Sequence, residues 1–184
     1  MKFNEFYSLT IVHSRDIILV KGVDYMNITK QKSQKTFDKQ AADYDTNIQG
    51  EHARKLYKPI IENLKNKNIH SILDLGCGTG ALLKEIKELN IAEQLFGIDI
   101  SPNMLEIAKN KLGNDATLIL GDSERLPFED SSFDAIVCND SFHHYPQPDI
   151  VEKEVSRCLK QNGVFIIGDC WQPIGARQIM NYYM

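Results

Sequence analysis

The stretch ILDLGCGTG, Ile72 to Gly80, decides how the rest of the chain is read. Ile72, Leu73 and Leu75 form the end of an aliphatic strand, and Gly76, Gly78 and Gly80 follow before the helical stripe Leu82, Leu83, Ile86 and Leu89. Glycines there let the backbone turn tightly and approach a ligand, and the helix that follows offers unpaired N–H groups to an anion. Asp99 ends the next aliphatic run 23 residues after Gly76, where the ribose of a nucleotide is held in a βαβ site. Strand, glycine turn, helix and acid in that order outweigh what a glycine triplet alone would say, since a tight turn needing glycine for packing has no use for the acid.

Working outward, short aliphatic runs at 71–75, 95–99, 117–120, 133–138 and 164–168 read as five doubly covered strands. Between them lie helices with their own signals. Ser101 followed by Pro102 is an N-cap with a first-turn proline, Met104, Leu105 and Ala108 face inward, and Gly113 stops the helix. Val151, Val155, Cys158 and Leu159 make a further stripe that the Asn162, Gly163 pair should close. Right-handed crossovers then leave an open, doubly wound, mostly parallel α/β sheet of the Rossmann-like type.

The segment before residue 71 is different. Residues 28–45 are polar and suit a lid, and the stripe Ala53, Leu56, Ile60, Ile61 and Leu64 is interrupted by Pro59, which should kink it or start a new helix. Residues 9–20 (LTIVHSRDIILV) suggest a β-hairpin, so residues 1–36 are expected to be an extension and 37–184 the main domain. The longest aliphatic run is four residues, too short for a membrane span or a secretory signal. Residues 1–70 carry 12 Lys/Arg against 8 Asp/Glu, and residues 71–184 carry 9 against 17. The acidic body argues against nucleic acid and favours a cationic or zwitterionic small ligand. Cys77, Cys138, Cys158 and Cys170 show no CxxC spacing, which points to reduced thiols, a cytoplasmic setting and no zinc site.

Asp74 narrows the choice of nucleotide. A carboxylate two residues before Gly76 would repel a pyrophosphate, yet it suits an ammonium that stands beside a carboxylate, as at the methionine end of S-adenosylmethionine. The strings FDKQAADYD, LDLGCGTG, GIDISPNML, GDSERLPFEDSSFDAIVCNDSFHHY and LKQNGVFII then occur in one order between Phe37 and Trp171. In this the chain resembles the class I S-adenosylmethionine-dependent methyltransferases, in the style of the ubiquinone/menaquinone C-methyltransferase group. The resemblance implies strand order 3-2-1-4-5 and a small-molecule methyl acceptor. It also implies that Asp99 holds the ribose hydroxyls, Ile100 and Met104 flank the adenine, and Asp122 bonds the adenine amine with Ser123 beside it. Asn139 would line the sulfonium region and Tyr44 would close over the cofactor.

His143 and His144 follow the fourth strand at the end where ligands bind, and His144 is the candidate proton acceptor. The spacing of ligands along the chain suggests no metal centre. The family pattern continues to strands six and seven, for which the chain shows no sequence. The edge strand 164–168 is therefore expected to be covered by a second copy or by the 9–20 hairpin. Two other functions share these features: a nicotinamide-dependent oxidoreductase and a non-catalytic S-adenosylmethionine-binding protein.

Overall fold

The computed structural model describes residues 15–169. Its elements are α1 (Arg15–Gln40), α2 (Ile48–Lys55), α3 (Tyr57–Leu64), β1 (Ile69–Leu75), α4 (Ala81–Glu88), β2 (Ala92–Asp99), α5 (Pro102–Leu112), β3 (Ala116–Leu120), β4 (Phe133–Asn139), α6 (Pro148–Cys158) and β5 (Leu159–Gly168). The strands form one sheet in the order β3-β2-β1-β4-β5, and each neighbouring pair is parallel. This is the expected doubly wound sheet.

Alternation along the central strands builds two cores. Ile72 of β1 and Ala135 and Val137 of β4 pack with Ile60, Leu64, Leu83 and Ile86 on one face. Leu73 and Leu75, with Ile136 and Cys138, pack with Phe133, Val151 and Val155 on the other. Phe133 is 1% exposed and meets Phe96 and Phe128 edge to face, with ring centroids 5.3 and 4.9 Å away.

Capping set several boundaries as read. Ser101 accepts from the Met104 N–H, Pro102 opens α5, and Gly113 ends it at φ 55°. Pro59 does not kink a long helix. It sits in the first turn of α3, where its missing N–H costs nothing, and the chain breaks at Leu56 between α2 and α3.

Two expectations are corrected. Residues 15–20 are the start of α1, so the second arm of the expected 9–20 hairpin is helical instead of extended; its first arm lies outside the described residues. An isolated hairpin is marginal in water, and the short apolar run Ile17–Val20 is compatible with either period until its neighbours decide. α1 continues unbroken through residue 37, the expected start of the main domain. The Asn162, Gly163 pair does not end α6, which stops at Cys158 as Leu159 turns extended. Instead it falls where β5 slips register, with Leu159 opposite Phe133 but Val164 opposite Ala135. Asn162 there has φ 66°, the left-handed geometry that serves a helix stop or a bulge equally.

Cys77, Cys138 and Cys158 are buried and unpaired; Cys170 lies outside the described residues. Among the described residues no helix is long and apolar enough to cross a membrane.

Candidate functional site

A cleft, partly open to solvent, lies over the carboxyl ends of the strands. Tyr44, Gly76, Gly78, Asp99, Ile100, Met104, Asp122, Ser123, Asn139 and His144 all line it. Asp74 and Gly80 do not.

The three glycines do separate jobs, and all have positive φ. A Cβ on Gly76 would lie 2.1 Å from Ser141 Oγ, so this glycine admits the loop after β4. One on Gly78 would meet nothing within 4 Å, so this position faces open space. At Gly80 a Cβ would lie 2.8 Å from Leu112 and 3.1 Å from Ala108, so its role is to bring α4 against α5. Asp99 fixes the turn: its Oδ2 accepts from the Gly78 N–H at 2.8 Å and its Oδ1 from the Ser101 N–H at 2.8 Å. Burial raises the Asp99 pKa, and these backbone bonds oppose that rise. Each oxygen keeps a lone pair for a further donor.

Asp74 is 2% exposed, and its Oδ1 has no hydrogen-bond partner. Burial and the Asp99 charge push its pKa up to about 8. The other buried side-chain atom without a partner among the described residues is Oδ1 of Asn139. Both orphans stand near the carboxyl ends of β1 and β4, neighbours in the sheet. Buried polar atoms are nearly always satisfied, so two unmet acceptors at one end of adjacent strands mark where a donor belongs.

The wall opposite comes from α1. Lys30 donates to Asp122 Oδ2 at 2.7 Å and to Glu124 Oε2 at 2.5 Å. Burial would lower the Lys30 pKa, but the two carboxylates outweigh it and raise the pKa. Asp38 accepts from Ser101 Oγ at 2.5 Å, which ties α1 to the start of α5. Tyr44 stands next to Phe37, at 6.4 Å between ring centroids, and burial with nearby carboxylates pushes its hydroxyl up to about 12. Asp45 joins the glycine loop to α5, accepting from Thr79 Oγ1 at 2.6 Å and from Lys111 at 2.7 Å.

His144 packs edge to face on Phe37 at 5.1 Å, and burial and His143 press its pKa down to about 4. His143 instead bonds Asp169 Oδ1 through Nδ1 at 2.7 Å. Asp169 follows β5, and Asp140 follows β4 with φ 52°. Ligand atoms of Asp140, His143 and Asp169 all lie within 4.8 Å of one another, a cluster that residue spacing did not reveal. Reading also missed Lys30, Ser33, Phe37 and Glu124 on the cleft wall. Lys30, Ser33 and Phe37 lie on α1, whose residues from Thr29 to Gln40 are nearly all polar, so no apolar stripe marked its inward face, and Glu124 lies in the loop after β3.

A nucleotide-type loop, an acid at the end of β2 and a cleft over the carboxyl edge define a Rossmann-like nucleotide-binding protein. A family model described as a methyltransferase domain matches residues 73–167. The chain is 32% identical over 162 residues to the demethylmenaquinone methyltransferase of Thermotoga maritima, a match covering 85% of this chain and 70% of that one. It is 35% identical over 125 residues to the sterol 4-C-methyltransferase strm-1 of Caenorhabditis elegans, covering 65% of this chain and 36% of that one. The crystal structure of the YcgJ protein of Bacillus subtilis superposes with a TM-score of 0.61 at 28% identity, covering 67% of this chain and 53% of that one. The chain therefore belongs to the class I methyltransferase-domain family, whose cofactor is S-adenosylmethionine. It spans 36% and 70% of the length of the two curated relatives named here. The nicotinamide-dependent reading is not favoured by these matches.

Proposed function

We propose that the chain binds S-adenosylmethionine in the cleft and transfers its methyl group to a small-molecule acceptor by in-line displacement. The observation that carries this reading is the unmet, buried Oδ1 of Asp74 beside a glycine turn. An ammonium supplies the donor that this oxygen lacks and the charge that makes its ionisation favourable. The fit extends outward: Gly78 leaves room for the ligand's carboxylate, Asp99 retains lone pairs for the ribose, and Ile100 and Met104 offer apolar contact to adenine. Asp122, with Ser123 beside it, accepts the adenine amine once Lys30 shares or yields its oxygen. Asn139 lines the sulfonium region, and Tyr44 closes over the cofactor from the turn after α1. Gly80 supports the loop from behind.

The cofactor supplies an already activated methyl group when bound. What remains for the chain is to hold the acceptor in line and exclude water, which is why no nucleophile is needed. His144, neutral at pH 7, is available to accept a proton from an acceptor that loses one. The relatives' names, a demethylmenaquinone and a sterol methyltransferase, support an apolar acceptor. The acidic body argues against nucleic acid as that acceptor, the free thiols suit the cytoplasm, and the β5 edge is the surface for pairing with a second copy.

The test is calorimetric titration with S-adenosylmethionine and with NAD. Binding of the first at micromolar strength, weakened at least ten-fold by Asp74→Asn, supports the reading; preference for NAD overturns it. Binding without transfer of labelled methyl to any acceptor in a cell extract would favour the non-catalytic alternative.

A further inference from the structure

We infer that Lys30 reads the adenine ring of the cofactor, donating to the ring nitrogen beside the amine that Asp122 accepts, a role that rests on the S-adenosylmethionine reading. α1 brings it there. Lys30, Ser33 and Phe37, three and then four residues apart, lie along one face of that helix and line the cleft together with Asp99 and Asp122. The Lys30 side chain is 19% exposed and reaches two carboxylates 92 and 94 residues further along, with Nζ 2.7 Å from Asp122 Oδ2 and 2.5 Å from Glu124 Oε2. An ammonium has three N–H donors, so one remains, and no described residue accepts it.

The two carboxylates are themselves held. Glu124, 7% exposed, also accepts from the Gln147 N–H at 3.1 Å and from Gln147 Nε2 at 2.8 Å, which fixes it to the start of α6. Asp122 Oδ1 accepts from the Glu124 N–H at 2.9 Å. The ammonium is therefore placed beside Asp122 before any ligand arrives, and little side-chain freedom is left to lose on binding. Each carboxylate oxygen has two lone pairs, so Asp122 Oδ2 takes an amine hydrogen without releasing Lys30. On adenine the 6-amino donor is flanked by two ring-nitrogen acceptors, N1 and N7. An acceptor and a donor that touch each other, as Asp122 and Lys30 do, thus face a donor and an acceptor that are neighbours on the base. Because the donor is charged and mostly shielded from water, its bond to the ring is stronger than a neutral amide would make.

The probes are S-adenosylhomocysteine, which carries the same nucleoside without the reactive methyl, and its 1-deaza and 7-deaza analogues, each with C–H in place of one ring nitrogen. Calorimetric titration of the full chain with all three compares the parent with Lys30→Met. In the parent, one of the two analogues should bind about ten-fold more weakly than S-adenosylhomocysteine, the loss expected for a hydrogen bond from a charged donor. In Lys30→Met that penalty should vanish. A lysine that only braces the wall weakens all three ligands alike when it is replaced. Equal losses, a penalty that survives Lys30→Met, or no penalty in the parent each overturn the contact. Lys35→Met, exposed on the same helix, is the control and should keep the parent's affinities. Thermal melting establishes that each variant is folded; should Lys30→Met fail to fold, Lys30→Gln, with its shorter uncharged side chain, decides in its place. A parent chain that binds neither S-adenosylmethionine nor S-adenosylhomocysteine loses the cofactor reading and Lys30 with it, whereas one that binds both without the Lys30-dependent penalty loses only Lys30.

Discussion

Asp74 shows how a single residue can serve binding at the expense of folding. Its pKa rises from an ordinary 3.8 to about 8 because burial and Asp99 both oppose the charge. A raised carboxyl pKa gives stability that is complete below the unfolded value and is lost as pH climbs through the folded one. Asp74→Asn should therefore melt higher than the parent near pH 8, with the advantage shrinking toward pH 5, while its cofactor affinity falls ten-fold or more. Melting curves at the two pH values test the first half, and equal differences at both would contradict it. The glycines give a second residue-scale contrast. Alanine at Gly78 incurs only left-handed strain of about 1–2 kcal/mol. Alanine at Gly80 adds the collision with Leu112 and Ala108, so Gly80→Ala should lose about 1–3 kcal/mol more in urea denaturation. Gly78→Ala should in turn lose more cofactor affinity than stability. Sequence alone treated the three glycines as equivalent ligand contacts, because their division of labour depends on which loop or helix stands across from each.

At the scale of elements, strands were legible wherever apolar residues were both short in run and doubly covered, as in β1, β2 and β4. Caps were legible too, since Ser101, Pro102 and Gly113 act on groups within a few residues of themselves. What local pattern could not convey was long-range pairing. Residues 15–20 read equally as strand or helix, and Asn162 with Gly163 served a register slip instead of a helix end. The cleft wall supplied by α1 was hidden for a related reason: Lys30 and Phe37 acquire their meaning from Asp122 and His144, about a hundred residues away in the chain. Phe133 is the test of core packing at this scale. It sits between two aromatic partners with 1% exposure, so Phe133→Ala should cost about 3–5 kcal/mol, measured by urea denaturation. A loss below about 1 kcal/mol would mean that the Phe96 and Phe128 rings close the gap unaided.

For the whole molecule, the sheet presents β5 as an edge among the described residues, with Ile167 43% exposed. Open aliphatic edges invite another strand, so sedimentation equilibrium should show reversible dimers in the micromolar range. A monomer at every concentration would remove the β5 edge as a pairing surface. The open, doubly wound sheet came through from the amino-acid pattern because crossovers allow few arrangements, whereas its strand order came from the resemblance to the class I methyltransferases. The corner where Asp140, His143 and Asp169 meet did not, because it is made by neighbours in space that are far apart in number. One feature of the fold sets the tempo of the whole: α1 reaches the nucleotide pocket through Lys30 on Asp122 and Glu124, and grips α5 through Asp38 on Ser101. Of these two ties the first is an ion pair and the second a hydroxyl hydrogen bond, and because Lys30 and Glu124 are largely shielded from water, salt screens that pair little. Raising ionic strength should thus leave the arrival and departure of the nucleotide nearly unchanged.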